Sequence, residues 1–417
     1  MTTPLPLDQR TRRHYNIFQL FTGLMWWLPV FYVHQRQAGL SDEQIFGIQS
    51  IYYFAYCLLE IPTGALADRF DYRAFLLTGG AALGVAHLLP VASPTYAGFL
   101  AQFLVIALGS SLISGAGSAY LYEYLARSGR AADYQQAEGS ARAYTLAGRV
   151  ICLPAAGVLL QWNPDIPYVL SAGGCVLAVV CAWKLPSLSD HDGPTVAGAS
   201  RKRSVTTGIP RSFGALKTAP RLTLLMAQGV ALFTLIRICQ ANLYQPVLES
   251  KHVPLAAFGV LMAATTLFEA GGAMRSSWLD RVDGVWATAG LTAMMAVALA
   301  LAVPADPVGT VASLCVFSLA SGLAFPIQRR LINRAIPEAD LRATLLSVES
   351  LIDRAVCALV VAVLSGYLTH GSINTFLIRL CTATLAITGV ITAALALLAR
   401  QQSAVKPKEN DLTSSPP

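Results

Sequence analysis

Charge is what this sequence has least of. Of its 417 residues, 13% are Asp, Glu, Lys or Arg, against about 25% in an average soluble domain, while 54% are apolar. A water-soluble fold with that composition would have too few polar side chains to cover its surface. Reactive motifs are missing as well. The eight cysteines, at 57, 152, 175, 181, 239, 315, 357 and 381, all fall in apolar runs without a CxxC pair, which excludes a disulfide framework and a zinc site. No G-x-x-x-x-G-K-[ST] loop occurs, so a P-loop ATP-driven pump is excluded. The six histidines are scattered, and no nucleophile stands with a base. The chain therefore reads as a non-enzyme without metal or cofactor.

What remains is a succession of apolar runs of about 20 residues, each long enough to cross a hydrocarbon core. They lie at 15–33, 43–65, 74–93, 96–125, 137–161, 167–185, 219–247, 255–278, 285–303, 307–328, 343–368 and 373–399. This predicts an all-α membrane protein of twelve transmembrane helices. The first run follows Arg10, Arg12 and Arg13, but it is longer than a signal h-region and no small-residue cleavage pattern follows, so it reads as a permanent helix.

The formal charge of +7 comes mostly from one side of that map. The N-terminal tail, the loops at Arg69 and Arg73, at Arg127 and Arg130, from Arg201 to Lys217, at Arg281, from Arg329 to Arg334, and the C-terminal tail are basic. Arg36 and Lys251 alone fall opposite. The positive-inside rule then places both termini in the cytoplasm of a multi-pass protein, and the basic charge reflects topology rather than nucleic-acid binding. A bacterial inner membrane is the expected location.

The chain also repeats. A displacement of 212 residues carries Tyr32 onto Tyr244, Phe46-Gly47 onto Phe258-Gly259, and Asp68-Arg69-x-Asp71 onto Asp280-Arg281-x-Asp283. Arg142-Ala143 returns as Arg342-Ala343 after 200 residues, the intervening loops having changed length. The expected organisation is an N-terminal six-helix half at 1–185, a cytoplasmic linker at 186–217, a C-terminal six-helix half at 218–400 and a disordered tail at 401–417. Parallel six-helix repeats are one way to build a transporter with its site between the halves.

Between the second and third runs stands Gly64-Ala-Leu-Ala-Asp68-Arg69-Phe-Asp71-Tyr72-Arg73. It resembles the G-x-L-A-D-R-x-G-R-K/R signature of the major facilitator superfamily, and helix count and halves extend the resemblance along the whole chain. Asp71 stands where that family has Gly, and Tyr72 where it has a basic residue. The resemblance implies a pseudo-symmetric twelve-helix fold and a gating latch of Gly64, Asp68, Arg69 and Arg73 joined by Glu123. The family antiporters' fifth-helix pattern G-x-x-x-G-P-x-x-G-G survives only as Pro154 and Gly157. The bacterial drug or metabolite exporters are the members closest in appearance.

An ionisable residue inside a bilayer is costly and faces the bundle interior or an aqueous path. Arg149, Arg237 and Asp353 lie deepest, with Glu269, Glu349, Arg354 and Arg379 shallower and Glu60 two turns before Asp68. The resemblance implies that the first, fourth, seventh and tenth helices line the cavity. Their candidate substrate contacts are Asn16, Gln19, Trp26 and Trp27, Ser114 and Ser118, Arg237, Gln240, Asn242 and Tyr244, and Phe325 and Gln328. Arg237 would attract an anion, or be held in an ion pair with Glu269 or Asp353. The candidates for proton coupling are Asp353, Glu269, Glu349 and Glu60, while Arg149, Arg354 and Arg379 remain as further intramembrane charges.

This lining suits a small amphipathic or anionic organic molecule, a drug or metabolite of siderophore-like character, better than a bare ion. The expected function is alternating-access secondary transport by a monomer, with proton-coupled efflux preferred. Proton-coupled uptake of a small organic anion is the alternative within transport. A non-transporting sensor or scaffold is the alternative outside it, and would call for a sizeable soluble domain.

Overall fold

The computed structural model describes residues 9–67, 70–188, 219–336 and 342–405. Every regular element in them is helical: α1 (Gln9–Thr22), α2 (Phe31–Gln37), α3 (Asp42–Ala67), α4 (Tyr72–Ala92), α5 (Tyr96–Arg127), α6 (Tyr134–Trp162), α7 (Ile166–Trp183), α8 (Pro220–Ile238), α9 (Tyr244–Ser250), α10 (Leu255–Met274), α11 (Gly284–Ala302), α12 (Pro307–Ala335), α13 (Arg342–Tyr367) and α14 (Ile373–Val405). Ten spans among the described residues are long and apolar enough to cross a membrane, α8 and α9 counting together as Pro220–Ser250. The α1–α2 pair and the 26-residue α13 correspond to the other two of the twelve apolar runs read from the sequence.

Two departures from the expected helices have local causes. The first run is broken: between α1 and α2 the chain passes through turns at residues 23–30. Pro29 has no N–H to donate and disfavours helical backbone at Leu28, and Gly23 is pressed so closely on the Thr145 carbonyl that a Cβ there would lie 2.4 Å from its oxygen. The seventh run widens into a π turn at Cys239–Leu243. Pro246, four residues after Asn242, can donate no helical hydrogen bond back to it, and an i→i+5 turn absorbs the vacancy.

The carboxamide of Gln245 closes the break in the first span. Its Oε1 accepts from the Tyr32 N–H at 3.0 Å and its Nε2 donates to the Leu28 carbonyl at 2.8 Å, so it bridges the two groups that an unbroken helix would pair directly. Gln245→Leu strands both in an apolar interior and is expected to cost about 1–3 kcal/mol. A thermal unfolding midpoint in detergent equal to that of the unmodified chain would contradict this.

Packing groups the chain into two compact units. The first comprises Met1–Thr206, Ile238–Ala264 and Arg354–Ile373. Here α4 packs on α5 and α7, and α1 on α6 and α7, around a core built from Tyr15, Phe18, Tyr72, Leu76, Tyr120 and Tyr124. Small residues let backbones touch: Gly157 lies against the Leu255 carbonyl and Gly259 against that of Leu153, so a Cβ would come within 2.1 and 1.8 Å of those oxygens. Pro154 and Gly157, the remnant of the antiporter pattern, sit at this contact.

The second unit comprises Thr207–Arg237, Thr265–Asp353 and Asn374–Pro417. Its α11 packs on α12, and Leu222, Leu225, Met226, Ile332, Leu345 and Leu395 form a core. Gly272 of α10 and Gly322 of α12 bring those two backbones together, with would-be Cβ atoms 2.3 Å from the Leu319 oxygen and 2.0 Å from the Glu269 oxygen.

Candidate functional site

The second unit holds two ion pairs in which buried carboxylates of α13 meet half-exposed arginines. Asp353, its side chain 3% exposed, accepts at Oδ2 from Nε and Nη2 of Arg237 at 3.1 and 2.7 Å, and at Oδ1 from Thr234 at 3.1 Å. Arg237 comes from the last turn of α8, one turn after Thr234, and its side chain is 38% exposed. One turn earlier on α13, Glu349, 1% exposed, accepts at Oε2 from Nη1 of Arg329 at 2.6 Å, while that arginine is 32% exposed. Gly229 makes the room, since a Cβ there would stand 2.7 Å from the Glu349 Oε1. Among the described residues that oxygen has no hydrogen-bond partner.

Aromatic rings flank the second pair. The Arg329 guanidinium lies 4.8 Å from the centre of the Phe233 ring and 5.5 Å from that of Phe325, and the two rings are 5.1 Å apart. Gln328 is fully buried and donates to the Leu225 carbonyl at 2.6 Å. The expected candidates Arg237, Asp353, Glu349, Phe325 and Gln328 thus fall in one region of one unit. Arg329 corrects the sequence reading, which ended the tenth helix at residue 328 and left this arginine to a basic loop. Helix α12 continues to Ala335 and carries Arg329 into the unit. Its signal was the uncompensated Glu349. Thr234 and Phe233 carried none, being ordinary residues in an apolar run.

The other candidates disperse. Glu269 is half-buried on α10, and Arg379 is exposed on α14. In the first unit Arg354 pairs with Glu60 and lies 3.8 Å from the centre of the Tyr56 ring. Asn242 donates to the Tyr53 hydroxyl at 3.1 Å, Tyr244 is buried, and Gln240 is half-buried. Asn16 donates to Ser140 at 3.0 Å, Gln19 to the Tyr15 hydroxyl at 3.1 Å, and Ser118 to Glu138 at 3.0 Å. Ser114 is exposed and Arg149 half-buried. The Trp26 backbone N–H donates to the Ser171 hydroxyl at 3.0 Å. Trp27 is buried among Phe31, His87, Phe103 and Tyr168, an aromatic packing environment.

Of the latch, Asp68 and Arg69 lie outside the described residues. Gly64 is half-buried in α3. Asp71 takes a definite role: it caps α4, accepting from the Arg73 N–H at 3.1 Å and from Ser187 at 2.7 Å. The Arg73 guanidinium donates to the Trp183 carbonyl, and Glu123 accepts from Arg127 Nε at 2.9 Å.

The sequence pattern of the Major Facilitator Superfamily matches residues 16–352. The chain belongs to this superfamily. Solved superfamily-like folds agree along nearly the whole length: the nucleoside transporter NupG superposes with a TM-score of 0.75 at 13% identity, covering 92% of this chain and 98% of that one. A POT family transporter, PepTSo, gives 0.70 at 11% identity over 95% and 99% of the two chains. These likenesses concern the fold.

Curated relatives match over short stretches. The methyl viologen resistance protein SmvA of Salmonella typhimurium is 31% identical over 75 residues, 18% of this chain and 15% of SmvA. The L-fucose-proton symporter of Escherichia coli is 34% identical over 97 residues, 22% of each chain. As a superfamily member with these apolar helices the chain is a multi-pass membrane protein.

Proposed function

We propose that this superfamily member is a proton-coupled secondary transporter of a small, partly apolar organic anion, taking up anion and proton together. The observation that carries the reading is the Arg237–Asp353 pair. Its arginine is half exposed and its carboxylate buried, so an incoming group meets the cation first. An anion that takes Arg237 leaves Asp353 without its countercharge in a poorly solvated place, and a proton restores neutrality. Anion and proton therefore assist each other, which is the linkage of a symporter. Bilayer, proton and small solute are the partners this requires, and one chain supplies all the groups.

That sign favours the uptake alternative over the export expected from the aromatic lining. Export remains the second reading, supported by the short likeness to SmvA and by the Phe233–Phe325 wall. Binding of benzoate and its ring-substituted analogues to the purified chain separates the two. Symport predicts proton uptake on binding and affinity that rises as pH falls, whereas proton release would assign the site to antiport.

The reading also places both termini in the cytoplasm. In a cysteine-free background, cysteines at Gln37 or Ser250, both exposed, are expected to react with an impermeant maleimide from outside intact cells. One at Ser204 is expected to react only after the membrane is opened. Labelling of Ser204 in sealed cells would reverse the orientation.

A further inference from the structure

Two arginine-paired carboxylates stand on the same helix, and the proposed mechanism uses one. Glu349 and Asp353 leave α13 four residues apart, so their backbone positions are offset by about one helical turn, about 6 Å along the axis. Each is buried and each holds an arginine that is about one third exposed. The second pair lies beside the aromatic rings of Phe233 and Phe325. Its carboxylate still has an unpartnered buried oxygen among the described residues. A purely structural pair would be expected to have both oxygens satisfied.

From this geometry we infer that the transported molecule is an organic dianion, bound between Arg237 and Arg329 and accompanied by two protons. The inference rests on the anion reading above and adds the second contact. At each arginine one substrate carboxylate replaces one protein carboxylate, and the displaced Asp353 or Glu349 takes one proton. Two negative charges and two protons enter, so loading leaves the net charge of the site unchanged. Phe325, exposed beside Arg329, offers an apolar surface to the spacer of the same molecule. Inorganic phosphate carries its charge on one centre with no apolar spacer, and serves as the compact control.

The test compares adipate, hexanoate and phosphate as ligands of the full chain in detergent at pH 6. Calorimetry in two buffers of different ionisation enthalpy counts the protons. Adipate is expected to bind at least about tenfold more tightly than hexanoate, the scale of one added charge-assisted hydrogen bond, with two protons taken up against one. Phosphate is expected to show no such advantage. Arg329→Gln should remove most of the advantage of adipate over hexanoate and bring its proton count down to one. The inference is overturned if adipate and hexanoate bind alike with one proton each, an outcome that leaves the Arg237–Asp353 reading standing. It is also overturned if Arg329→Gln weakens both acids equally. If neither acid binds with proton uptake and Arg237→Gln changes nothing, the underlying reading fails and this one with it.

Discussion

Asp353→Asn is expected to abolish pH-driven accumulation while exchange of substrate across the membrane persists. Asparagine keeps one oxygen that can accept from Arg237 and turns an amide N–H toward the Thr234 hydroxyl, which can accept it, so contact with both partners survives. What disappears is the group that changes charge. The arginine cannot take over, because it stays protonated at any reachable pH. In proteoliposomes an imposed pH difference should concentrate substrate at least about tenfold less than in the unmodified chain, equivalent to about 1.4 kcal/mol of lost driving force. Counterflow under equal pH should remain. Accumulation that survives unchanged would make Asp353 structural and direct attention to Glu349, Glu269 or Glu60.

The reciprocal variant has a different signature. Arg237→Gln leaves a buried carboxylate without its cation, a change that costs about 3–5 kcal/mol where both partners are fully buried. Asp353→Asn leaves behind an arginine that already has access to water, so its cost in stability is smaller. The two variants therefore separate coupling from folding.

Gly322→Val is expected to give the largest loss of stability of any single change discussed for this chain. A Cβ at 322 would sit 2.0 Å from the Glu269 carbonyl oxygen, and one at Gly272 would sit 2.3 Å from that of Leu319. Both obstacles are backbone, so no side-chain rotation relieves them, and α10 must move away from α12. Overpacking in a well-packed interior costs about 1–3 kcal/mol where side chains can yield, and here a larger penalty is expected. Inside a membrane, close approach of small residues supplies much of the attraction between helices. Gly389→Val is the control, since nothing lies within 4 Å of a Cβ there. Thermal unfolding in detergent should show a loss of several degrees for the first and almost none for the second. Equal midpoints would show that α10 and α12 separate without penalty.

Hydropathy alone revealed the spans, because every stretch that must cross hydrocarbon declares itself in composition. It could not show how each span is bent. The α1–α2 break depends on Gly23 and Pro29, and both were visible, but a window of about 20 residues averages them away. The deep charges announced themselves by their cost, so Arg237, Asp353 and Glu349 were found. Their partners were found only where the partner was also deep. Arg329 escaped because the end of a helix is the least defined feature of a hydropathy profile, and one residue decided whether it counted as loop or site. Asp71 illustrates the opposite error. Read as a departure from a glycine, it is in fact the cap that starts α4.

Gln245 gives the first span an unusual property. A carboxamide carries the same donor and acceptor as a peptide group, so this side chain serves the span as a unit of its backbone. The Leu28 carbonyl and Tyr32 N–H that it joins stand four residues apart, the spacing of an α-helical hydrogen bond. Gly23 and Pro29 keep the span from closing on itself, so its backbone is completed by a side chain from the seventh run. The two spans are therefore tied through main-chain groups, and neither can slide along its axis without uncovering a carbonyl and an N–H in hydrocarbon.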